Sequence, residues 1–220
     1  MKLSATFSAA EKVSTDVIII SLFENTKKIP SELNAINKAS EGAISGLLKN
    51  GDFTGTLNET TIIPTDKKIV PKRILLVGLG KSADFTLDKV RQATGTATRV
   101  VQRKKFKNPS MLLYRMETKG ISLEDVTRSV AEGILLSRYN FTMYKTLKKE
   151  DKFDITSYSL VVQKNDVLKS IKSVVKEAEI VAEAVCFTRD IVNMAGSDAT
   201  PTFLANKAKE IAKKPGVKCK

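Results

Sequence analysis

The chain contains no histidine among its 220 residues, so His-based acid–base catalysis, histidine-dependent triads and HExxH zinc sites are excluded at the outset. A two-metal carboxylate centre needs no histidine, but it needs clustered acids. Here the 24 Asp and Glu residues are scattered over what reads as polar faces. Cys186, inside a predicted helix, and Cys219, next to the last residue, form no Cys-x-x-Cys pair. With no histidine to activate it, Cys186 reads as a small apolar residue and not a nucleophile. The site residues assigned from the sequence are therefore none: no catalytic, cofactor-binding or metal-ligating side chain in this chain.

Two stretches invite a binding role. Gly78-Leu79-Gly80-Lys81-Ser82-Ala83 follows an apolar run and has the form G-x-G-x-x-A, whose glycines let a backbone approach a pyrophosphate. No acidic residue ends a second strand about 20 residues on, as the dinucleotide motif requires. Leu75 stands where the first glycine of a Walker loop would be, so a tight strand-to-helix turn is the expected reading. Arg99 to Lys107 carries five basic residues and no acidic one around Phe106, and KTLKKEDK from Lys145 adds more positive charge. Such a cluster can track phosphates, yet a solvated helix end has the same composition. Tyr139, Phe141 and Tyr144 are expected to pack in the core and at its rim, not to form a stacking platform.

The elements that hold these residues alternate. Leu3, Ala5 and Phe7 share one side of a half-buried strand near a sheet edge, and DVIIISLF from Asp16 is an apolar run fit for a strand covered on both faces. Ser31 to about Leu48 has helical periodicity, ended by Asn50-Gly51, and is expected to be one amphipathic helix. LNETTIIP and KRILLVGLG read as two further strands, the second central. Leu87, Val90, Ala93, Ala97 and Val100 line a helix in which Gly95 is expected to permit close packing on the sheet. MLLY is the next strand, Ser122 to Asp125 a capping box opening a helix, and YSLVV the last strand. This alternation specifies an α/β domain with helices on both sheet faces.

From Asp166 the spacing of Leu168, Ile171, Val175, Ala178, Ala182 and Val185 marks a helix of nearly 30 residues, about 45 Å long. Its apolar seam is expected to pack on elements outside the chain and to be weakly anchored. Thr200-Pro201 caps a second short helix running to Pro215-Gly216, and VKCK has the look of a strand beginning where the sequence stops. The expected organisation is residues 1–165 as the α/β domain, 166–195 as a linking helix and 196–220 as the truncated start of another domain.

Three motifs then occur in order: Val77-Gly78-Leu79-Gly80, the stretch AEGILLSRYNFTMYK from Ala131 to Lys145, and RDIVN from Arg189 followed by Thr200-Pro201. Together they resemble the N-terminal region and interdomain segment of the leucyl (cytosol) aminopeptidases, over roughly the last two thirds of the chain. The match departs at Met194-Ala195-Gly196-Ser197, where many relatives carry prolines. The resemblance implies a macro-domain-like mixed sheet, a hexameric parent, and an exopeptidase acting on peptide N-termini with two divalent metals, Mn or Zn. None of that family's ligand signature, Asn-Thr-Asp-Ala-Glu-Gly-Arg, is matched; Ala131-Glu132-Gly133 lies in the wrong context and reads as a helix segment.

No cofactor is therefore expected in this chain, whose role would be structural within an assembly. The alternatives are a polyanion- or DNA-binding module acting through Arg103, Lys104 and Lys105, and an ADP-ribose-binding macro-type domain. The excess of 37 Lys and Arg over 24 acids, a formal charge of +13, favours loose attraction to polyanions and says nothing about fold. The unpatterned cysteines point to a reducing, cytoplasmic setting. Val17–Ile20 is too short for a signal core or membrane span.

Overall fold

The computed structural model describes residues 1–114, 120–146 and 153–213. The basic run beyond Thr146, Cys219 and the anticipated strand at Val217–Lys220 fall outside the described residues. The chain divides into two compact units, Met1–Ala182 and Glu183–Lys220.

The first unit is built on a six-stranded sheet: β1 (Lys2–Phe7), β2 (Val17–Leu22), β3 (Thr60–Pro64), β4 (Arg73–Gly78), β5 (Pro109–Leu113) and β6 (Ser157–Val162), in the order β1-β6-β5-β2-β4-β3. All neighbours pair parallel except β3, which runs antiparallel to β4. The sheet is thus mixed, with β1 at an edge. Strands β2 and β4, read as apolar runs, lie inside it with Ile18, Ile19, Ile20, Leu75 and Leu76 fully buried, as strands covered on both faces must be.

Helices cover both faces. On one side α3 (Leu87–Arg103), α4 (Leu123–Ser137) and the first half of α5 (Leu168–Asn193) bury Val90, Ala97, Val130, Ile134, Ile171 and Val175 against Leu3, Ile19, Leu75 and Leu160. On the other, α1 (Asn34–Ala39) and α2 (Ala43–Asn50) bring Ile36 and Ile44 to Ile18, Ile20, Ile74 and Leu112. The capping box at α4 is formed: the Ser122 hydroxyl accepts from the Asp125 N–H and the Asp125 carboxylate accepts from Ser122.

Three expectations are corrected. The single helix over Ser31–Leu48 is broken, because Glu41 and Gly42 adopt φ of 54° and 77° and Asn37 Oδ1 accepts from the N–H groups of Ile44 and Ser45 at 3.2 and 3.0 Å. Asn37 in α1 thereby caps α2. Gly95 faces α4 and not the sheet, its nearest neighbours being Ser137 Cβ and the Gly133 carbonyl. The seam Ile171–Val175–Ala178 is no loose surface: these residues are 0%, 4% and 0% exposed within the first unit's own core.

Helix α5 has 26 residues, about 39 Å at 1.5 Å per residue; the preceding turn is set by the Asp166 carboxylate, which accepts from the Val167 N–H. Its buried residues stop at Ala182. In the second unit α6 (Pro201–Ala212) starts with Pro201 in its first turn and Thr200 Oγ1 accepting from the Phe203 N–H at 3.2 Å.

Candidate functional site

The glycine turn after β4 is closed by the chain itself. A Cβ on Gly78 would lie 1.9 Å from the Thr56 carbonyl oxygen, and Gly80 has φ of 74° with Leu57 Cβ 3.3 Å from where its own Cβ would be. The N–H groups of Gly78, Leu79 and Gly80 donate to the carbonyls of Glu59, Leu22 and Gly55. No N–H of the G-x-G core is left for a phosphate, so its glycines serve close backbone approach.

The loop that fills the turn is held by Glu59. Its carboxylate accepts from the N–H groups of Thr54, Gly55 and Thr56 and from the hydroxyls of Thr54 and Thr56, at 2.7–3.2 Å. Partial burial works against its charge, but these donors prevail and hold the carboxyl below its ordinary pKa, as hydrogen bonds to a carboxylate do. An anion nest is present, and the protein's own side chain occupies it. Nothing in LNETTIIP signals this, since an acid before a strand reads as a side chain turned to solvent; the strand itself begins only at Thr60.

Around the basic helix end, the fold adds residues that linear reading kept apart. The Arg73 guanidinium lies 4.9 Å from the Phe106 ring centre, and Lys72 Nζ is 2.8 Å from Asp16 Oδ1. Asp16 Oδ2 also accepts from the N–H groups of Lys107 and Asn108, both at 3.1 Å. Burial opposes ionisation of Asp16, yet Lys72 and these backbone donors hold its carboxyl below the usual range. Phe106 is half-buried with a cation on its face, so it is already engaged. Tyr139 and Phe141 are half-buried, while Tyr144 is 54% exposed and meets Phe141 edge-on at 5.7 Å.

Glu132 lies between α3 and α4, 9% exposed, with Arg91 Nε 2.5 Å from its Oε2. Beside it, Gly133 brings the helices together: a Cβ there would lie 2.8 Å from the Arg91 carbonyl oxygen and 3.0 Å from Thr94 Cβ. The Ala131-Glu132-Gly133 segment is helix packing. Cys186 is partly exposed on α5. Among the described residues, no group of three or more His, Cys, Asp or Glu side chains is placed to hold a metal ion, and no helix is long and apolar enough to cross a membrane.

A mixed sheet with these connections, with the G-x-G turn at the end of β4 and a long helix after β6, matches known proteins over most of the chain. The family model described as the cytosol aminopeptidase family, N-terminal domain, matches residues 19–148. The chain belongs to the cytosol aminopeptidase family. A probable cytosol aminopeptidase of Geotalea uraniireducens (strain Rf4) is 33% identical over 185 residues, 84% of this chain and 37% of that protein. A solved tomato leucine aminopeptidase variant superposes with a TM-score of 0.78 at 22% identity, covering 97% of this chain and 42% of that one. The bottromycin maturation enzyme BotP, in complex with Mn, gives 0.64 at 20% identity over 90% of this chain and 36% of that one. The chain thus spans about two fifths of the length of the family members and structures it matches.

Proposed function

We propose that the chain is the non-catalytic N-terminal portion of a metal-dependent aminopeptidase that removes N-terminal residues from peptides. The observation that carries this reading is the family match over residues 19–148, on a fold shared with a leucine aminopeptidase. In this reading residues 1–165 are the α/β domain, 166–195 the linking helix and 196–220 the start of the catalytic domain. The two divalent ions, Mn or Zn, are held by the part of the family's length that this chain does not span. The Mn bound in the BotP complex supports metal chemistry in a protein of the same fold.

The role of this portion is structural: it shapes a hexameric assembly, N-terminal domains outward, and access to its active sites in the cytoplasm. Two-metal hydrolysis needs fixed ligands to hold both ions, activate a bridging water and polarise the scissile carbonyl. The carboxylates described above have other duties: Glu59 holds a loop, Asp16 joins strand ends and Glu132 pairs with Arg91. The test is leucine release from a leucyl amide by the purified chain with Mn²⁺ or Zn²⁺, beside a chelated control. No turnover above the control is expected; turnover that co-purifies with the chain and vanishes on chelation would overturn the reading.

A further inference from the structure

The carboxyl ends of the parallel strands open onto a hollow of about 490 Å³ with no assigned role. Its position follows from topology. After β2 the chain turns to the α1/α2 face, whereas after β5 and β6 it turns to the α4/α5 face. Exits that diverge in this way leave a crevice outside the strand ends, where open α/β sheets bind ligands. Leu113 and Tyr114 from the end of β5, Val162 from β6 and Leu123 from α4 form the apolar part of the lining.

Its charge runs against that of the molecule. In a chain of net charge +13, the described residues that line the hollow include three acids, Glu32, Glu124 and Asp166, and one cation, Lys164. Each acid comes from a different strand exit. Among the described residues the polar contacts of their carboxylates are neutral: Glu32 accepts from the Ser31 hydroxyl at 2.9 Å, Glu124 from the Ser170 hydroxyl at 2.8 Å and Asp166 from the Val167 N–H at 3.0 Å. None of the three enters an ion pair among the described residues. Glu32 and Glu124 are moreover half-buried, where an uncompensated charge is costly. The acids are too dispersed for a metal ion, since no three of them are grouped to hold one.

We propose that this hollow is a binding site for a small organic cation with an apolar body, a primary amine on an aliphatic stem. The ammonium group donates to Glu32 and Glu124 while the stem covers Leu113, Val162 and Leu123. A cavity of this size with an apolar lining and a few polar groups has the anatomy of a small-molecule site.

The probe is isoamylamine, with isoamyl alcohol as the neutral control of the same shape, titrated into the full chain and followed by amide chemical shifts. Neither compound has an amide to hydrolyse, so the outcome is independent of any peptidase activity. The amine is expected to saturate, with shifts centred on Glu32, Tyr114, Ile121–Glu124 and Gln163–Val167, while the alcohol binds at least tenfold more weakly. Replacing Glu32→Gln and Glu124→Gln together should weaken the amine at least tenfold. Lys164→Gln, which removes a competing cation at an exposed position, should tighten it severalfold. Failure of the amine to saturate, equal binding of the alcohol, no tightening by Lys164→Gln, or occupation of the hollow by AMP in preference to the amine would each overturn the proposal.

Discussion

The two glycines at the α3–α4 contact should respond oppositely to the same substitution. An Ala in place of Gly in a helix interior gains about 1 kcal/mol from backbone entropy alone. At Gly95 the added Cβ meets Ser137 Cβ at 3.4 Å and the Gly133 carbonyl at 3.7 Å, ordinary contact distances, so Gly95→Ala should stabilise the chain by most of that amount. At Gly133 the Cβ would stand 2.8 Å from the carbonyl oxygen and 3.2 Å from the Cα of Arg91. Both are backbone atoms, which cannot swing aside. Forced overpacking of this kind costs about 3 kcal/mol at the upper end of its usual range, and any parting of the helices also disturbs the 2.5 Å Arg91–Glu132 pair. Gly133→Ala is therefore expected to lose about 2 kcal/mol net, the two variants differing by about 3 kcal/mol. Urea unfolding followed by far-UV circular dichroism measures the order directly. If Gly133→Ala proved as stable as Gly95→Ala, the assignment of Gly133 as the closest point of helix approach would be refuted.

Acid should weaken the first unit through Asp16 and Glu59, whose folded-state carboxyls lie below their ordinary values of 3.8 and 4.5. Stability from a depressed carboxyl is present above the unfolded pKa and lost as pH falls through the folded one. Asp16→Asn and Glu59→Gln should thus destabilise at pH 7 and converge on the parent as the pH falls below the ordinary carboxyl values and through the lowered folded-state ones, which denaturant midpoints against pH would reveal; a gap that stays constant with pH would count against the carboxylate role. Hydrogen exchange should show Ile74–Val77 and the amides near Ile171–Ala178 strongly protected, with protection falling after Ala182, where buried side chains cease. Equal protection throughout α5 and α6 in a dilute sample would contradict that.

How far the sequence reveals this arrangement depends on whether the signal is local. Periodicity and caps located β1, β2, β4, α3, α4 and α6 because the apolar period and the capping residues of Ser122 and Thr200 lie within a few positions of the element they define. The break between α1 and α2 had a local sign, Gly42, that the continuing apolar period of Leu33, Ile36, Ile44 and Leu47 concealed. Contacts between distant segments were not legible: the Glu59 nest around Thr54–Thr56, the seat of Gly78 against Thr56, and the meeting of Arg73 with Phe106 are set by sheet order, which alternation of strands and helices does not encode. The acids of the hollow illustrate the same limit. Glu32, Glu124 and Asp166 are separated by up to 134 positions and converge only because β5 and β6 are neighbours that end beside the exit of β2.

We propose that this chain supplies the N-terminal portion of a cytosol aminopeptidase and none of its chemistry. It is tested most directly by fusing the chain, in place of the corresponding N-terminal portion, to the remainder of the Geotalea uraniireducens relative and assaying leucyl amide hydrolysis with Mn²⁺. Chelator-sensitive turnover is expected from the fusion and none from the 220-residue chain alone; metal-dependent turnover by the chain alone would contradict the proposal.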